Sequence, residues 1–132
     1  MANSKNIRVL LIDDNDLTRE ILRVLLSNDG YEVVGEAQDG EAGLEMSLKL
    51  QPDLICLDVL MPRRNGLDTL KQLATLLPKS AVLMVTANME RETVQTYMAH
   101  GASGYIIKPF NSVTILQTVT QALEQKRQAL AH

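Results

Sequence analysis

The chain has 132 residues, 45% of them hydrophobic and 22% charged, with a net charge of −3. That length suits one domain with a sizeable core, and the acidic balance argues against a nucleic-acid partner, which would need a basic face. No apolar run reaches the length of a membrane span, and Met1 to Asn6 is not followed by a signal-peptide block, so a cytoplasmic protein is expected.

The pattern alternates short apolar runs with helical periodicities. A first strand is predicted over Ile7 to Ile12, apolar enough to be covered on both faces. Asp16 is the expected N-cap of a first helix, with a stripe of Leu17, Ile21, Leu22 and Leu25 and a stop at Gly30. A less uniformly apolar second strand, Tyr31 to Ala37, reads as an edge strand. Asp39-Gly40 opens a second helix that carries Ala42, Leu44 and Leu48, and Pro52-Asp53 breaks it. The third strand is Leu54 to Leu57; its one cysteine, Cys56, has no partner and reads as a buried thiol.

A loop from Val59 to Asn65 follows, containing Met61-Pro62 and Arg63-Arg64. A third helix then runs from Gly66 to Pro78, with Leu67, Leu70, Ala74 and Leu77 on one face. The fourth strand is Ala81 to Val85. Glu90 to His100 forms a fourth helix with only Val94, Tyr97 and Met98 as sizeable anchors; His100 is expected to face solvent. The fifth strand is Tyr105 to Ile107. The fifth helix spans about Ser112 to Leu130, with Ile115, Leu116, Val119, Ala122 and Leu123 inward. Five βα units in this order give a doubly wound parallel sheet, expected as a single domain over 1–132 with no effector domain encoded.

In an open parallel sheet the carboxyl ends of the strands line the ligand crevice. Asp13-Asp14, Asp58, Thr86 and Lys108-Pro109 all fall at such ends. They would meet in one acidic, lysine-flanked pocket suited to a divalent cation and to phosphoryl transfer onto an aspartate. Taken singly, each also has a plain reading. Asp13, Asp14 and Asp58 fit turns, Thr86 is an ordinary strand-end hydroxyl, and Lys108 fits a solvated surface lysine.

The ordered set of Asp13-Asp14, Asp58, Pro62, Gly66, Thr86 and Lys108-Pro109 resembles the receiver domain of bacterial two-component response regulators, over Ile7 to about Leu123. The resemblance implies a flavodoxin-like fold with strand order 2-1-3-4-5. It also implies Asp58 as phosphoacceptor and Mg²⁺, with Mn²⁺ as a substitute, on Asp14, Asp58 and the Leu60 backbone carbonyl, Asp13 acting largely through water. Lys108 would pair with phosphoryl oxygens and Thr86 would donate its hydroxyl to one. Pro109 is expected after a cis peptide bond. Tyr105 would be the switch aromatic coupled to Thr86, against a plain reading as a half-buried tyrosine.

Leu60 and Asn88 border the entry at positions that tune phosphate lifetime in the family. Arg64 departs from the commoner apolar residue, and with Arg63 makes a basic spot, either a solvated turn or a docking surface.

The implied protein is a signalling switch rather than an enzyme with an external substrate, although it would catalyse its own phosphoryl transfer and autodephosphorylation. Its expected partners are a sensor histidine kinase or histidine phosphotransferase and an output protein. It would bind no nucleic acid or membrane, and would be a monomer or weak homodimer. The output surface is expected to be the face from Glu90 to about Leu123.

Alternatives are a phosphorelay intermediate and a non-phosphorylated interaction module. A haloacid-dehalogenase-like phosphatase is disfavoured because Leu60 stands where its second aspartate belongs. A flavin carrier is disfavoured because Asp13 to Asp16 would repel phosphate.

Overall fold

A computed structural model of the chain describes residues 6–59, 65–87 and 91–131. Leu60, Met61, Pro62, Arg63, Arg64 and Asn88 lie outside the described residues, and with them the expectations placed on the Leu60 carbonyl, the basic spot and the entry to the site. The elements follow one another as β1 (Arg8–Ile12), α1 (Asp16–Asn28), β2 (Glu32–Ala37), α2 (Gly40–Leu50) and β3 (Leu54–Asp58). Then come α3 (Gly66–Leu76), β4 (Ala81–Thr86), α4 (Arg91–Ala99), β5 (Gly104–Ile107) and α5 (Ser112–Ala131). The strands form one parallel sheet in the order β2-β1-β3-β4-β5, as the sequence led us to expect.

Side chains alternate across a strand, and this divides the core in two. Val9, Leu11, Leu54, Cys56, Leu83 and Val85 pack beneath α1 and α5, against Leu22, Leu26, Ile115 and Val119. Leu10, Ile12, Ile55, Leu57, Val82 and Met84 face the other way, against Leu70, Leu73 and Leu77 and against Tyr97 of α4. The central strands are therefore buried on both faces, which accounts for their unbroken apolar runs. β2 and β5 are the edges, and β2 is only half-buried along most of its length.

Several expectations are corrected. The N-cap of α1 is Asn15, whose Oδ1 accepts from the Thr18 amide at 2.9 Å. Asp16 sits in the first turn instead, where an acidic side chain favours the positive end of the helix dipole and can reach Arg19 at i+3. The inward face of α1 is Arg19, Leu22 and Leu26, whereas Leu17 and Ile21 are exposed. The inward face is rotated from the apolar stripe because Arg19 points inward. In α3, Leu73 joins Leu70 in the core, whereas Ala74 is only half-buried. Met98 of α4 is exposed, which leaves Tyr97 as the one buried residue of that helix. β3 and β4 each extend one residue further than expected, so Asp58 and Thr86 are the last residues of their strands.

Candidate functional site

The pocket is built by strand ends, and the ladder continues just past them. The Asp13 amide donates to the Ala37 carbonyl at 3.0 Å, Val59 to Val85 at 3.1 Å, and Lys108 to Thr86 at 2.9 Å. The first ties β1 to β2, the second β3 to β4 and the third β4 to β5, and the pairing of Ile12 with Leu57 joins β1 to β3, so the polar residues follow one another along the carboxyl ends of the strands. On the β3 side the chain returns through Gly66, whose amide donates to the Val59 carbonyl at 3.0 Å. A Cβ on Gly66 would stand 2.6 Å from the Asp58 carbonyl oxygen and 2.7 Å from Val59 Cα, so this close approach admits only glycine without backbone movement.

Asp13, Asp14 and Asp58 are brought together: carboxylate oxygens, one from each, lie within 4.8 Å of one another. Asp13 and Asp58 are buried and Asp14 is exposed, so the cluster opens to solvent on one side. Lys108 Nζ lies 4.0 Å from Asp13 Oδ2. Asp13 Oδ1 accepts from the Asn15 amide at 2.8 Å, while its Oδ2 is buried without a hydrogen-bond partner. Burial pushes the Asp13 carboxyl above its usual range and the charge of Asp14 adds to that, while the Asn15 N–H and Lys108 act in the opposite sense. A buried carboxylate oxygen left without a donor, beside two further carboxylates, fits a hard divalent cation that takes oxygen ligands.

Thr86 is buried at the end of β4. Tyr105 is 39% exposed on the β5 edge, its ring outside the core. The Lys108–Pro109 peptide is cis.

Two features escaped sequence reasoning. Tyr97 is more than an anchor for α4: its phenol is pushed up by burial and further by the charge of Asp58, which places the helix in electrostatic reach of the pocket. Arg19 is the other. Its Nη1 donates to the Asp13 carbonyl at 2.5 Å and its Nε to Glu36 Oε1 at 3.2 Å. The only signal was an arginine at the helical position where an apolar residue belongs, and arginine is rarely buried.

Comparison with known proteins gives a consistent result. The response regulator receiver domain family matches residues 9–120. Protein CcdB of Bacillus subtilis is 36% identical over 116 residues, which is 88% of this chain and 97% of that protein. The probable C4-dicarboxylate response regulator DctR of Halalkalibacterium halodurans is 35% identical over 96% of this chain, but the match spans only 56% of that longer protein. A crystal structure of a CheX–CheY–BeF3–Mg²⁺ complex from Borrelia burgdorferi superposes with a TM-score of 0.83 at 26% identity, covering 86% of each chain. With the strand order, the acidic strand ends and a family match that runs through all five strands, the chain belongs to the response regulator receiver domains.

Proposed function

We propose that this receiver accepts a phosphoryl group on Asp58 from the phosphohistidine of a sensor kinase or histidine phosphotransferase, with Mg²⁺ at the acidic cluster. One observation carries the reading: carboxylates from β1 and β3 converge within 4.8 Å beside Lys108, at the carboxyl edge of the sheet. Asp14 and Asp58 would hold the ion directly and Asp13 mainly through water; Mn²⁺ would substitute. When bound, the ion offsets the repulsion between the Asp58 carboxylate and the incoming anionic group.

Asp58 supplies the attacking oxygen. Its O–P bond forms as the donor's N–P bond breaks, and the freed imidazole takes a proton from water. Lys108 offers a point charge to the phosphoryl oxygens, and Thr86 offers its hydroxyl to another. Hydrolysis of the acyl phosphate then returns the carboxylate and inorganic phosphate. The BeF3 and Mg²⁺ present in the Borrelia CheY complex support this assignment.

The switch acts on a pre-existing equilibrium that the new charge biases. Thr86 and Tyr105 would shift together, and the face of α4, β5 and α5 would change its affinity for an output protein or a second copy. Incubation with acetyl phosphate and Mg²⁺ should add one hydroxylamine-labile phosphoryl group, and Asp58→Ala should abolish it. Full labelling of Asp58→Ala would refute the assignment.

A further inference from the structure

We infer that Arg19 is a positioning residue for the metal-binding carboxylates, acting through the backbone of Asp13; this rests on the reading of the pocket proposed above. Arg19 lies in the first turns of α1, yet only 10% of its side chain is exposed. Its guanidinium is shared among three acceptors on three segments. Nη1 donates to the carbonyl of Asp13 at 2.5 Å, Nε to Glu36 Oε1 on β2 at 3.2 Å, and Nη2 to Asp16 Oδ1. Glu36 is held from its other oxygen by Arg23 Nη1 at 2.8 Å. The residue after Glu36, Ala37, accepts the Asp13 amide at 3.0 Å.

These contacts close a ring. Asp13 is bound to β2 directly through its N–H and indirectly through its C=O, by way of Arg19 and Glu36. Both polar groups of the Asp13 backbone are thus immobilised, and with them the direction in which the Asp13 and Asp14 side chains leave the chain. Supporting bonds of this kind around a metal site are commonly worth 10–100-fold in affinity. Lysine could not reproduce the arrangement, because one ammonium lacks the planar fork that spans separate acceptors.

The sign of the effect separates positioning from charge. Arg19 is a cation near an acidic cluster, so removing it makes the local potential more negative and, by Coulomb attraction alone, would tighten Mg²⁺ binding. A positioning role predicts the reverse.

The test is Mg²⁺ titration by calorimetry on the full chain, comparing the parent with Arg19→Met, Arg19→Lys and Asp14→Ala. Arg19→Met keeps the apolar stem; Glu36 retains Arg23, and Asp16 is exposed to water, so the fold should survive. Affinity should fall about tenfold in Arg19→Met, with a smaller loss in Arg19→Lys. Labelling by acetyl phosphate should be slow at low Mg²⁺ and recover at saturating Mg²⁺. Should Arg19→Met fail to fold, Arg19→Lys decides the matter, because it keeps the charge and loses only the fork. Unchanged or tighter Mg²⁺ binding in a folded Arg19 variant, with binding lost in Asp14→Ala, would overturn this inference alone. Parent-like affinity in Asp14→Ala would overturn the metal site and the role of Arg19 together.

Discussion

Asp13 is 2% exposed and Asp58 6%, so two carboxylates of the pocket sit where charge is costly. Because the folded state raises the Asp13 carboxyl above its ordinary value of 3.8, the folded protein holds that proton more readily than the unfolded chain. The stability this contributes is complete below 3.8 and is lost as pH rises through the folded value. Asp13→Asn should therefore stabilise the metal-free protein at neutral pH, read as a higher Tm in EDTA. It should also flatten the pH dependence of Tm measured in EDTA as pH rises above 3.8, and the gain should shrink when Mg²⁺ is added.

Cys56 behaves in the same direction at the alkaline end. Burial pushes its thiol from 9.0 to about 12, so its contribution to stability is present below 9.0 and lost as pH rises towards 12. The native thiol should resist alkylation at neutral pH and react at the ordinary rate in denaturant, as a thiol-labelling time course would show.

At the scale of elements, the pocket depends on how closely α3 begins behind β3. Gly66→Ala should cost about 2 kcal/mol, because the added Cβ meets backbone atoms of Asp58 and Val59 rather than a side chain that can turn aside. The same displacement should slow phosphorylation of Asp58, and denaturant unfolding together with a labelling assay checks both effects.

The two helices at the β5 edge are differently anchored. α4 buries only Tyr97, which suits an element that shifts at low cost. α5 is held by Ile115, Val119 and Ala122, while Glu124 to Ala131 is almost wholly exposed and carries its own Glu124–Arg127 pair. Removing residues after Lys126 should change stability by less than about 0.5 kcal/mol, read from the urea midpoint.

Across the whole molecule, the site occupies one edge of the sheet, and the proposed output face flanks it on the β5 side. A groove of about 520 Å³ runs there between β5 and α5, lined among others by Tyr105, Lys108, Thr114, Thr118 and Gln121. Lys108 is shared by this groove and the acidic pocket, so a charge added at Asp58 has a short route to the surface. Amide exchange with and without beryllofluoride and Mg²⁺ should show changed protection in α4 and β5 and little change in α1. Changes confined to the loops around Asp13 and Asp58 would argue for a different face.

What the amino-acid order determined by itself is the part that depends on local pattern. Uninterrupted apolar runs marked the buried strands, Gly and Pro marked the breaks, and polar residues at the ends of those runs identified Asp13, Asp14, Asp58, Thr86 and Lys108 as neighbours once a parallel sheet was assumed. The tertiary structure decided what depends on opposite sides of contacts distant in sequence. It turned α1 so that Arg19 faces inward, because Glu36 and the Asp13 carbonyl offer partners that compensate its burial. It placed Tyr97 within electrostatic reach of Asp58, 39 residues away in sequence, and left one oxygen of Asp13 without a donor. Periodicity reports which side chains are apolar; it cannot report which buried polar group finds a partner, since that partner lies on another element.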